Sequence, residues 1–145
     1  MQWIFNNKIF KEENIPEGSL GFTYKITITD KASPHLGKFY IGKKAFKHKS
    51  TKRISKRVIK ETGTRKRKEV TQKDSGWKTY TGSSKVFNEM LKECKSFKKE
   101  ILSFYPTKSS LSLGEIQAII CEGDWLSEKC MNGWVSCKIY KNQLK

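Results

Sequence analysis

Phe22-Thr23-Tyr24-Lys25-Ile26-Thr27-Ile28-Thr29, followed after a gap by Lys38-Phe39-Tyr40-Ile41-Gly42, is the stretch on which the fold turns. Phe22, Tyr24, Ile26 and Ile28 alternate with Thr23, Lys25, Thr27 and Thr29, the period-two pattern of a strand with one buried face. The gap holds Asp30, Ser33, Pro34 and Gly37, each a turn former for its own mechanical reason. The pattern predicts a β-hairpin with a wide loop. Tyr24 and Tyr40 lie on its two strands, so pairing is expected to bring two phenols together at one edge of a sheet.

The surroundings of this hairpin are strongly basic. The chain has 145 residues, enough for one domain (1–145) with a modest core, and a formal charge of +16. Such an excess predicts a polyanionic partner held through phosphate contacts and counterion release; an acidic small molecule would not need it. Residues 43–73 hold fourteen Lys and Arg against Glu61 and Glu69, a net of +12, and include all four arginines, Arg53, Arg57, Arg65 and Arg67. No apolar run approaches the roughly 18 residues of a membrane span, and no charged leader precedes an apolar stretch. A cytoplasmic protein with no membrane partner is expected. Cys94, Cys121, Cys130 and Cys137 form no Cys-x-x-Cys pair, which argues against structural zinc and for free, buried thiols. His35 and His48 lack a third ligand and are expected to be exposed.

Read outward, Trp3 to Phe10 predicts a further hairpin or edge cover around Asn6-Asn7. Within the basic stretch, Ile54, Val58 and Ile59 suit a short helix up to Thr62-Gly63, followed by a flexible basic loop along a nucleic-acid backbone. A solvated or disordered charge run is the alternative. The phosphate contacts expected are Lys43, Lys44, Lys52, Arg53, Lys56, Arg57, Arg65, Lys66, Arg67 and Lys68, with Lys85 beyond. Trp77 to Gly82 reads as a short extended piece, and Tyr80-Thr81-Gly82 echoes Tyr40-Ile41-Gly42 as an internal decoy. Ser83 or Ser84 then caps a helix carrying Val86, Phe87, Met90, Leu91 and Cys94 at helical spacing. Phe97 to Tyr105 is a third strand ended by Pro106. A last helix runs from Ser110 or Ser112 through Ile120 to Gly123, and the tail offers an Asn132-Gly133 turn before a strand-like 135–140.

This order of elements resembles the GIY-YIG nuclease domain over residues 20–135, closest to phage-type members that include homing endonucleases. The second motif element is intact as Tyr40-Ile41-Gly42, the first keeps only the tyrosine of Phe22-Thr23-Tyr24, and Gly82-Ser83-Ser84-Lys85 stands before the second helix. The resemblance implies an α/β fold of the α+β kind: a small three-stranded antiparallel sheet flanked by helices, with a basic insertion at 43–73.

It also implies a DNA endonuclease with one Mg2+ or Mn2+ per site. Tyr24 would activate water, with Lys43, Lys44 and the metal as the cations that could lower its pKa, and Tyr40 would orient the water or phosphate. Arg57, or else Arg53, would steady the phosphate, Glu115 would hold the metal and Asn132 would order that side of the site. A single carboxylate suffices for a hard ion whose shell is completed by phosphate and water. The residues alone leave other readings open: Ser112-x-x-Glu115 is also a capping box, Glu122 is a second carboxylate, the tyrosines suit ordinary strands, and Asn132-Gly133 suits a turn. Thirteen residues follow Asn132, so no appended specificity module of the homing kind is expected. Selectivity would come from the insertion, the N-terminal segment or a partner, and double-strand cutting would call for two copies. The competing reading is a non-catalytic basic DNA- or RNA-binding protein, which gains nothing from a carboxylate at position 115.

Overall fold

The computed structural model describes residues 1–122 and 124–135. The quoted stretch forms β3 (Gly21–Ile28) and β4 (Phe39–Ala45), antiparallel neighbours with Tyr24 opposite Gly42 and Ile26 opposite Tyr40. Before them, β1 (Trp3–Phe5) and β2 (Lys8–Ile9) make the N-terminal hairpin, whose turn residues Asn6 and Asn7 have φ of 49° and 60°. Asparagine tolerates that left-handed region, which a two-residue hairpin requires. After them come β5 (Lys47–Arg53), α1 (Lys56–Thr62), β6 (Lys68–Asp74), α2 (Lys85–Glu93), β7 (Phe97–Tyr105) and α3 (Lys108–Gln117), which continues into a π-turn at Ala118–Glu122.

The main sheet has five strands in the order β2-β1-β7-β3-β4, not the three expected. Its β7-β3-β4 part is antiparallel as expected, and β1 adds to β7 in parallel, pairing Trp3 with Lys99. The addition follows from Trp3, which is buried and donates its Nε1–H to the Trp77 carbonyl at 2.8 Å. Phe22, Tyr24, Ile26 and Ile28 share one face with Phe46, Trp77, Phe87 and Leu91, the helix α2 lying over them. Phe39 and Ile41 face the other way, onto Ala118 and Ile119 after α3. Gly114 lets α3 come close, because a Cβ there would overlap the Tyr105 ring.

Several boundaries differ from the sequence reading. The short helix expected up to Thr62-Gly63 is present as α1, ended by Gly63 at φ 64°, but no loose loop follows it: β5 and β6 form their own two-stranded ribbon whose far ends α1 connects. Lysine richness masked the strand signal carried by Thr51, Val70 and Thr71. Trp77 to Tyr80 is a turn, closed by the Tyr80 N–H on the Trp77 carbonyl. Of the two serines before α2, Ser84 is the cap. α3 begins earlier than Ser110, capped by Thr107 in a box with Ser110. His35 is half-buried and sits 3.7 Å from the Glu93 carboxylate, while His48 is exposed as expected. Cys94 and Cys130 are half-buried and Cys121 is exposed; all three are free, and none is in the core. Cys137 and, beyond Val135, the strand expected over 135–140 lie outside the described residues. No helix among the described residues is long and apolar enough to cross a membrane.

Candidate active site

Gly42 decides the local geometry. It faces Tyr24 across the β3–β4 ladder, and a Cβ at this position would overlap the Tyr24 hydroxyl and Cζ. A bare α-carbon therefore lets the Tyr24 ring cross β4. There it meets Tyr40 at 6.5 Å between ring centroids and Tyr80 at 6.0 Å, nearly perpendicular. Gly82, at φ 105°, brings the backbone against both phenols: a Cβ on it would lie 3.2 Å from the Tyr40 ring and 3.4 Å from the Tyr24 hydroxyl. The Tyr80-Thr81-Gly82 echo is thus the third wall of the cluster. Sequence reasoning set it aside as a decoy, although the repeated Tyr-x-Gly was the signal that could have found it.

Tyr24 is buried and its pKa is raised well above 10, first by desolvation and then by the nearby Tyr80, Tyr40 and Glu115. Neither Lys43 nor Lys44 is among the groups that shift it, and both ammoniums have other partners. Lys44 stands over the Tyr80 ring at 3.9 Å, and burial lowers its pKa. Tyr40 is less enclosed; its hydroxyl shares a 3.2 Å hydrogen bond with Ser83, and burial raises its pKa too.

Lys43 points to the opposite face of β4, where it donates to Ser112 Oγ at 2.8 Å and pairs with Glu115 at 2.9 Å. Ser112 and Glu115 are therefore not a capping box, since the cap of α3 is a full turn earlier. That leaves the half-buried Glu115 carboxylate with an ammonium partner and with influence on both phenols. Glu122 is exposed at the end of the π-turn.

Asn132 is next to the cluster but committed to the backbone. The segment before it docks on the free edge of β4: the Phe39 N–H donates to the Lys129 carbonyl and the Met131 N–H to the Phe39 carbonyl. Asn132 then continues the ladder with its side chain, accepting from the Ile41 N–H at 2.9 Å and donating to the Ile41 carbonyl at 2.7 Å. These two bonds hold β4 between Tyr40 and Gly42.

The arginines are not brought to the tyrosines. Arg57 pairs with Glu61 on the exposed α1, and Arg53 ends β5 about 20 Å along the ribbon from its root, at roughly 3.3 Å per residue. Arg65, Lys66, Arg67 and Lys68 are exposed beyond α1, Lys52 and Lys56 are exposed around it, and Lys85 opens α2 at the surface. A groove of about 1270 Å3 runs from the ribbon root to the Lys43–Ser112 pair, lined by Lys44, Lys47, His48, Lys49 and Lys108, with Glu12 and Glu17 on its wall. Among the described residues no three His, Cys, Asp or Glu side chains cluster as a metal cage. One carboxylate beside an open groove fits a magnesium-type ion that shares its shell with a substrate phosphate.

A sheet with α2 on one face and α3 on the other, its tyrosines gathered over the glycine of Tyr40-Ile41-Gly42, defines the GIY-YIG class. The chain belongs to that family: residues 3–143 match the one described as "Putative endonuclease segE, GIY-YIG domain". No curated protein and no solved structure matches the chain.

Proposed function

We propose that the chain is an endonuclease that hydrolyses phosphodiester bonds of duplex DNA, using one Mg2+ or Mn2+ ion held by Glu115. The observation that carries this reading is the gathering of Tyr24 and Tyr40 at Gly42, with the Glu115 carboxylate close enough to act on both phenols and paired through the sheet's other face with Lys43, which lines the groove. When bound, the ion supplies Lewis-acid stabilisation of the charge that grows on the phosphorane. Glu115 would hold it, and Lys43, released from the carboxylate, would pair with a phosphate oxygen. Ser112 keeps the lysine on that side of β4 during the exchange.

Tyr40, tethered to Ser83, offers a hydroxyl to the attacking water or to the phosphate. Tyr24 is a neutral phenol in this arrangement, and each unit by which its pKa must fall costs about 1.4 kcal/mol. Neutralising Glu115 removes one of the causes that hold it up, so water activation by Tyr24 is coupled to occupation of Glu115. Lys43 and Lys44 take the phosphate-steadying role expected of Arg57 or Arg53, and the insertion lies along the duplex. The nuclease core spans 20–135 of a single domain acting in the cytoplasm, and a double-strand break requires two copies.

A second reading has its own observation: Tyr24 is enclosed and Lys43 occupies the carboxylate, as in a scaffold that binds DNA or RNA without cutting it. Supercoiled plasmid incubated with Mg2+ or Mn2+, beside Glu115→Gln, separates the two. Cleavage by the parent that falls at least about a hundredfold in the variant, with binding retained, supports the nuclease, in line with the loss of one transition-state stabiliser. Binding by both proteins without cleavage by either leaves the second reading.

A further inference from the structure

We propose that the β5–β6 ribbon enters the major groove of duplex DNA and reads base edges with one face, making it the sequence-selecting element of the chain. The inference rests on the reading of DNA as substrate and assigns its selectivity to particular residues. Antiparallel register puts Lys49 with Gln72, Thr51 with Val70 and Arg53 with Lys68 on one face, above Lys47 and Asp74 at the root. The other face carries His48 with Lys73, Ser50 with Thr71 and Lys52 with Glu69. Ser50 and Thr71 are the two ribbon residues that are not exposed, so the first face is the open one.

Three features of that open face suit a groove better than a phosphate rail. First, it is not uniformly cationic. Gln72 matches the N6 and N7 pattern of adenine, Thr51 and Val70 offer methyl groups to thymine, and Arg53, Lys49 and Lys68 match the O6 and N7 acceptors of guanine. A surface that only neutralised phosphate would have no use for Val70, which is 60% exposed there. Second, the dimensions agree. The B-form major groove admits a two-stranded ribbon, and the face repeats every two residues, about 6.8 Å or roughly two base steps. From Lys49 to Arg53 it spans about four base pairs. Third, an isolated two-stranded ribbon is marginal in water, and a duplex would supply the partner that its exposed face lacks. A-form RNA would not, because its major groove is too narrow.

The test is a binding selection with the full chain and a random duplex DNA pool in EDTA, where cutting is silent. The expected result is an enriched motif of about four to five base pairs, with roughly tenfold discrimination per preferred base. The charge-neutral variant Thr51→Ala/Val70→Ala/Gln72→Ala then flattens the motif and leaves the salt dependence of binding unchanged. Gln72→Ala alone, which spares the β-branched residues, loses preference at one position. Lys52→Ala/Lys73→Ala, on the other face, keeps the motif while the slope of log K against log salt falls by up to about 1.8. The proposal is overturned by any of three results: the parent enriches no motif, the neutral variants enrich the parent's motif, or duplex RNA of the same sequence competes equally. The nuclease reading stands or falls on plasmid cleavage alone, so the two failures are distinguishable.

Discussion

Asn132→Ala tests whether the amide at the edge of β4 is a structural clamp. The parent side chain makes two hydrogen bonds to Ile41, a residue with no exposed surface. Truncation removes both bonds and leaves the Ile41 N–H and carbonyl without partners. Each orphaned buried group costs about 1–3 kcal/mol, so a loss of roughly 2–6 kcal/mol is expected. For a chain of this size 1 kcal/mol moves Tm by about 2–4 °C, which places the variant roughly 10 °C below the parent by circular dichroism at pH 7. Asn132→Asp keeps the acceptor but sets an anionic oxygen against the Ile41 carbonyl. It should be the less stable variant at pH 7, and should recover as pH falls and its carboxyl gains a proton to donate. Plasmid cleavage measured well below both midpoints should persist in Asn132→Ala. An unchanged Tm together with abolished cleavage would refute the clamp and restore the catalytic role read from the sequence.

Other consequences are equally measurable. Lys43→Met frees Glu115 from its ammonium; Mn2+ affinity without DNA, followed by electron paramagnetic resonance, should tighten several-fold, in line with about 1 kcal/mol for a half-exposed pair. Gly42→Ala forces its Cβ against Tyr24 and should lose about 1–3 kcal/mol along with cleavage. Tyr24→Phe in that background should return part of the Tm, because the overlapping hydroxyl is gone. Burial lowers the pKa of Lys99, whose ammonium lies under Trp3 and donates to the Lys78 carbonyl, to about 8 from 10.5. Between those values the unfolded chain holds a proton that the folded chain does not. Stability of the parent relative to Lys99→Met should therefore rise from pH 7.5 to 9.5, by at most about 2 kcal/mol.

The parts of the fold that sequence made legible are those where one physical signal dominates. Alternation along Phe22 to Ile28 fixed β3, and helical spacing from Val86 to Leu91 fixed α2. The ribbon was hidden because all its residues but Ser50 and Thr71 are exposed, so no apolar period marks it. At the site, Tyr24, Tyr40 and Glu115 were named through motif position; the two rings meet beside Gly42, and Glu115 acts on both phenols while paired with Lys43. Tyr80 was missed because its approach depends on a turn closing 40 residues beyond Tyr40. The role of Asn132 was hidden for a similar reason: its partner is backbone, and a side chain that completes a ladder leaves no trace in composition. Arg53 and Arg57 were named from the helix-like part of the basic stretch; Arg57 does lie on α1, but the strand that carries Arg53 away from the core was concealed by its lysines.

The insertion departs from the core and returns to it at one point. β5 begins after Phe46 and β6 ends before Ser75, whose N–H donates to the Phe46 carbonyl at 3.1 Å and whose hydroxyl bonds to the Ala45 carbonyl. The two roots are thus already joined without the 28 residues between them. Such a closed junction makes the ribbon exchangeable: a different hairpin could be spliced between Phe46 and Ser75 while Tyr24, Tyr40 and Gly42 keep their places. Target choice and bond cleavage could then diverge independently within one chain, with new specificity arising by cassette replacement at a single seam.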